Sequence, residues 1–272
     1  MSTWKIFAGA AIVAFSLTAC TASSDSPEAS STATIAPSAS ASPEASATVE
    51  AASCSLSTAQ IGDDTMDVLG SYLIDTDGVT LLCDPTADAV DTFAIYTDLI
   101  PVGYRTGVIG FVAIDQEQSG GTDGAMQDVS GADDEPTGER YLALDTTGYS
   151  TELERTIVHE VGHTIFLTAA SDVPTVYATD FNDTFTPGES YEDYPEDFVT
   201  EYAASQPDGS EDMAESWAMY VFGDTEYAGD ADDDGELDVV EPGTVAAEKV
   251  AFFADYPELV NLREEILAAV GY

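Results

Sequence analysis

Three short apolar runs interrupt an otherwise polar chain between residues 92 and 145. Residues 92–100, 107–114 and 140–145 are rich in β-branched, aromatic and aliphatic side chains and are bounded by turn formers, a pattern that predicts strands. The Gly- and Asp-rich stretch between the last two, 115–138, reads as a long loop. The period then changes. From Thr151 to about Thr168, apolar residues recur at Ile157, Val158, Val161 and Ile165, the spacing of a helix stripe. Thr151 and Glu154 have the spacing of a capping box at its start. From there to Glu201 the chain reads as loop, rich in Tyr, Asp and Pro, and its 172–197 portion is the segment expected to select a substrate. Residues 210–222 return to helical spacing, with Ala214, Trp217, Ala218, Val221 and Phe222 on the apolar side and Gly223 as the stop. Residues 244–270 read as helix with a break at Pro257. Strands first and helices after predict an α+β domain.

The first 52 residues are different in kind. Lys5 precedes an apolar stretch, Ile6 to Leu17, that is too short for a comfortable membrane span. Leu17-Thr18-Ala19-Cys20 follows and resembles the lipobox of prokaryotic lipoproteins. The resemblance implies a signal peptide over 1–19, a lipid on Cys20, and an extracellular protein whose contact with the cell membrane is that anchor. Residues 20–52 are mostly Ser, Ala, Thr, Pro and Glu. They cannot bury enough apolar surface to fold and read as a disordered tether. The folded domain is expected over 53–272. Its two cysteines, Cys54 and Cys83, form an even pair in an exported context, which predicts a disulfide.

Charge narrows the partners. With 52 acidic and 6 basic residues the net charge is −46. Such a chain cannot neutralise phosphates, so nucleic acid is excluded, and an anionic lipid surface would repel it. The acidity fits a surface kept soluble in strong salt or heavy binding of divalent cations.

Both histidines of the chain fall in one pentapeptide, His159-Glu160-Val161-Gly162-His163. Residues four apart share a helix face, so both imidazoles can reach one ion. Zinc accepts such nitrogen ligands, and a catalytic site keeps a position open for water. Glu160 stands where it can take a proton from that water. The third ligand cannot be a histidine, because none is left. Glu211 and Glu215 lie four apart at the edge of the apolar stripe of the 210–222 helix, and carboxylates rarely face a core unless paired or metal-bound. Either could complete the site.

This motif, followed about fifty residues later by a helical Glu-x-x-x-Glu, resembles the gluzincin metallopeptidases. The segment 198–218 is similar to the matching segment of secreted zinc peptidases related to the catalytic domain of anthrax lethal factor. The resemblance covers roughly residues 151–222. It implies a zincin-like domain in which a small mixed sheet packs on the active-site helix and a mostly helical part follows. It also implies that Glu211 binds zinc, with Glu215 supporting His159; the reverse order would exchange the two roles. Tyr202 is the residue the resemblance offers as hydrogen-bond donor to an oxyanion, although its spacing from Glu211 departs from that of lethal factor. No third His or Asp completes the metzincin pattern.

A second ion is expected at Asp230–Glu241. Asp230, Asp232, Asp234, Glu236 through its carbonyl, Asp238 and Glu241 fit a twelve-residue calcium loop with Gly235 at its turn. Pro242 after the last ligand favours a fixed structural ion over a switching pair of helices. Together these features predict a lipid-anchored zinc metallopeptidase acting on a peptide or protein, made in active form. The competing expectation is a surface binding module that kept the fold and metals without turnover.

Overall fold

The structure is a computed structural model and describes residues 58–61, 64–74, 80–83, 86–105, 107–114, 123–130, 136–146, 153–166, 175–185, 193–204, 209–228 and 240–272. Cys20, Cys54, Thr151 and the calcium-loop residues Asp230, Asp232, Asp234, Glu236 and Asp238 lie outside them. Cys83 closes a strand, but its side chain also lies outside what is described, so the disulfide has no structural account. Glu241 is exposed.

Among the described residues, six strands form one mixed sheet: β1 (Thr58–Ile61), β2 (Asp64–Ile74), β3 (Thr80–Cys83), β4 (Val108–Ile114), β5 (Gly124–Ser130) and β6 (Pro136–Asp145). The order is β1-β2-β4-β6-β5, with β3 also paired to β2. Every pairing is antiparallel except β4 with β6. The chain therefore passes from β4 over β6 to the sheet edge, runs back as β5, and returns as β6. Residues read as part of a loop thus supply the edge strand. Its sequence, GAMQDVS, has little β-propensity; pairing with β6 imposes the conformation. The central strands are covered on both faces. Phe111 and Ala113 enter the main core, while Val112 and Ile114 face a second, smaller cluster, the two-residue alternation of a strand.

The predicted strand at 92–100 is instead the body of helix α1 (Ala87–Leu99). Its buried residues, Ala89, Thr92, Tyr96 and Leu99, recur at helical spacing. Thr86 caps the helix by accepting a hydrogen bond from the Ala89 N–H. The aromatic and β-branched content suggested a strand, but the period and cap decide for a helix.

Helix α2 (Leu153–Phe166) carries the histidine motif, and α3 (Val176–Thr184) lies in the stretch expected to be loop. The α3 sequence, VYATDFNDT, is poor in helix formers. It is held by the Thr175 cap and by Phe181, which packs against Phe252 and Phe253 at 5.3 and 6.1 Å between ring centroids. Then come α4 (Ser210–Phe222), α5 (Val245–Phe252) and α6 (Pro257–Val270). Thr244 caps α5 and Pro257 opens α6, so the expected break falls there. These helices and the mixed sheet make an α+β fold.

Helices α2 and α4 pack closely because Gly162 has no side chain. A Cβ there would lie 3.2 Å from Trp217 Cδ1 and 3.5 Å from Ala214 Cα. Trp217 is fully buried and meets Phe166 and Phe253 at 6.1 and 5.5 Å. A buried ion pair fastens α5 to α4: Lys249 Nζ lies 2.6 Å from Asp212 Oδ2 and also donates to the Asp197 carbonyl at 2.6 Å. Removing one member strands the other charge in the core. Lys249→Met should therefore cost about 3–5 kcal/mol of stability in urea unfolding, and the double change with Asp212→Leu should recover most of it.

Candidate metal centre

The one-turn offset on α2 aims both imidazoles at the start of α4. His159 Nε2 lies 3.0 Å from Glu211 Oε2, and His163 Nε2 lies 3.5 Å from the same oxygen. The three ligand atoms all fall within 4.8 Å of one another. Zinc bonds of about 2.0–2.1 Å at tetrahedral angles set ligand atoms about 3.3 Å apart. The observed separations bracket that value, and two imidazoles with one carboxylate are a donor set zinc accepts. This group could hold a metal ion.

Glu215 meets the other side of the same ring. Its Oε1 lies 2.6 Å from His159 Nδ1. Its Oε2 receives Arg155 Nη2 at 2.6 Å and the Thr200 hydroxyl at 2.9 Å. The two glutamates, equivalent by sequence, are thus distinguished by which imidazole nitrogen each faces. Glu211 faces both Nε2 atoms, and Glu215 faces Nδ1. A carboxylate on Nδ1 fixes the ring so that Nε2 is free for an ion.

The electrostatics follow from this packing. Burial pulls the His159 pKa down, but hydrogen bonds to Glu211 and Glu215 outweigh it and hold the ring above the ordinary imidazole value. Burial opposes the charge on Glu211 too, yet its hydrogen bonds to His159 and His163 keep it well below the usual carboxylate range. Glu215 is lowered as well: burial works against it, and Arg155 and His159 prevail.

Glu160 behaves differently. It is 6% exposed, and burial raises its pKa despite both histidines and a hydrogen bond from the Met126 backbone. Met126 belongs to the edge strand β5. Gly124 lets this strand run against α2, since a Cβ there would lie 2.7 Å from Thr156 Cγ2 and 3.1 Å from Glu160 Cγ. Tyr202 stands on the open side. It is 56% exposed, and its ring centroid lies 5.9 Å from that of His159. Burial raises the phenol's pKa, and the negative charges of Glu211, Glu160 and Glu215 raise it further. Tyr202 therefore remains a protonated donor.

The structure thus brings His159, His163, Glu211, Glu160, Glu215 and Tyr202 together. Arg155, Thr200 and Gly124 join them without a motif of their own. Arg140 braces the end of α2, its Nη1 donating to the His163 carbonyl at 3.3 Å. One signal points to the arginines: in a chain with only 6 basic residues, each cation carries information, as the two histidines do. Arg155, one helical turn before His159, is where such a residue reaches the same partner. No protein-family model matches the chain, and neither a curated protein nor a solved structure shows significant similarity to it.

Proposed function

We propose that the chain is a zinc-dependent metallopeptidase of zincin-like architecture, exported and held at the cell surface by a lipid on Cys20. The observation that carries this reading is the buried carboxylate of Glu160 beside a two-histidine, one-glutamate group. A buried carboxylate beside the converging ligand atoms but outside their set is placed as a general base must be. A bound zinc would supply Lewis acidity, polarising the scissile carbonyl and acidifying the attacking water. His159, His163 and Glu211 would hold the ion. Glu160 would take the water's proton and deliver it to the leaving amine. Tyr202 would donate a hydrogen bond to the oxygen on which negative charge develops.

The substrate is read as an extended peptide. Among the described residues strand β5 is the last in the sheet, and its Met126 backbone meets Glu160, so a strand added along that edge would lie next to the reacting groups. The 172–197 segment proposed to select substrates includes helix α3. A structural calcium in the loop Asp230–Glu241 belongs to the same proposal and rests on that loop's sequence.

The test uses mature protein beginning at Cys20, without the lipid. Elemental mass spectrometry after dialysis should find close to one zinc per chain. A pooled library of extended peptides should be cleaved, and a chelator should abolish cleavage until zinc is restored. Zinc-independent cleavage, or a protein that takes up no zinc, overturns the reading.

A further inference from the structure

The segment that carries Tyr202 has no regular structure of its own beyond single helical turns, yet it must place a phenol over the metal group. Besides the phenol's own hydrogen bond to Glu211, two attachments hold the described part of the segment ahead of Tyr202. At its start, Lys249 takes the Asp197 carbonyl and sits 4.3 Å from the centre of the Phe198 ring. Further along, Thr200 makes a two-way contact. Its hydroxyl donates to Glu215 Oε2 at 2.9 Å and accepts from the Ala203 N–H at 3.1 Å. Ala203 lies in the single turn Tyr202–Ala204. Thr200 is 5% exposed, so water does not readily substitute for either partner.

We infer that Thr200 is a positioning residue: its single hydroxyl ties the carboxylate that orients His159 to the turn that presents Tyr202. This rests on the proposed function, in which Tyr202 acts on the oxyanion. The geometry separates the two ends of the link. Glu215 keeps Arg155 and His159 when Thr200 is removed, so the metal group survives. The Tyr202 turn loses its tie to Glu215 and keeps the contacts of the phenol itself, a hydrogen bond to Glu211 and a ring 5.9 Å from that of His159. Loss of the hydroxyl leaves the Ala203 N–H without its partner and should therefore disturb the turn that carries Tyr202 more than the metal ligands.

The experiment labels the mature protein with 3-fluorotyrosine and assigns the Tyr202 fluorine signal as the one missing in Tyr202→Phe. It compares wild type, Thr200→Val, Thr200→Ala and Thr200→Ser, first metal-free and then with cobalt(II). In the metal-free protein, Val and Ala should move the Tyr202 signal toward the position of a solvent-exposed tyrosine, and Ser should leave it in place. With cobalt, all four proteins should bind one ion, with affinity changed by less than the roughly 10–100-fold expected for loss of an outer-shell partner. The paramagnetic displacement of the Tyr202 signal should fall by more than half in Val and Ala and be retained in Ser. On a cleaved peptide, Val should lower kcat at least about tenfold with little change in KM, the pattern for a contact made only in the transition state. An unchanged Tyr202 signal in both Val and Ala overturns the inference. Cobalt binding lost in Val and Ala but not Ser also overturns it, because Thr200 would then serve the ligands. If wild type binds no cobalt while the metal-free signal still responds to Val, the proposed function fails and Thr200 is reduced to a structural link, which also overturns the inference as stated.

Discussion

Replacing Glu160 by Gln should leave zinc at close to one per chain and reduce peptide hydrolysis by about 10²–10⁴-fold. The side chain is 6% exposed, and its carboxylate accepts a hydrogen bond from the Met126 backbone. An amide of the same shape can keep that bond through its oxygen but cannot take a proton from water. Glu160 is also absent from the group whose ligand atoms converge, which consists of His159, His163 and Glu211. Metal content and turnover should therefore part company in this variant. Zinc analysis and peptide cleavage on one preparation check it. Undiminished cleavage would remove Glu160 as the base. Equal inertness of wild type and variant across a broad library would favour the binding-module alternative.

Glu211→Ala should instead remove the metal. Among the described residues, its Oε2 is the one carboxylate oxygen that approaches both Nε2 atoms, at 3.0 and 3.5 Å. Loss of a direct ligand should weaken zinc by more than the roughly 10–100-fold expected for Glu215→Ala, which removes only an orienting partner. Competition with a chelating dye measures both. Zinc retained by Glu211→Ala but lost by Glu215→Ala would exchange the two roles. A pH dependence accompanies this. Zinc takes the unprotonated ring, and hydrogen bonds to Glu211 and Glu215 overcome burial to hold the His159 pKa above the ordinary imidazole value. Near neutral pH the metal-free ring is therefore protonated, and zinc uptake must release that proton. Affinity should rise with pH up to the raised pKa, about tenfold per pH unit for each proton released. Calorimetry in buffers of differing ionisation enthalpy reads the proton directly. Glu215→Ala, which lacks one partner that raises the ring but keeps the three ligands, should release less.

The parts of the fold that sequence made visible are those whose stability is local or periodic. Helices α2 and α4 announce themselves by apolar spacing, and the helical stretch that holds α5 and α6 shows its break at Pro257. Strands β4 and the second half of β6 are dense apolar runs. The elements that sequence hid depend on partners. Strand β5 is strand because β6 lies beside it. Helix α3 is helix because Thr175 caps it and Phe181 finds Phe252 and Phe253. Helix α1 shows the opposite failure: its aromatic and β-branched residues suggested a strand, while its spacing and the Thr86 cap carried the correct signal.

At the metal group the same division holds. The amino-acid sequence by itself determined that two histidines share a helix face with Glu160 between them, and that two carboxylates occupy one edge of a later helix, because both facts follow from a 3.6-residue period. It could not assign Glu211 and Glu215, since residues four apart on one helix are equivalent until something is packed opposite them. Tertiary structure decided that. Gly162 lets α4 approach α2 closely enough that one carboxylate meets the Nε2 side of His159 and the other its Nδ1 side. It also decided that Arg155 and Thr200 hold the second carboxylate, and that Gly124 brings an edge strand against Glu160. These relations lie between elements distant in sequence, and only the shape and charge of the packed surfaces select them.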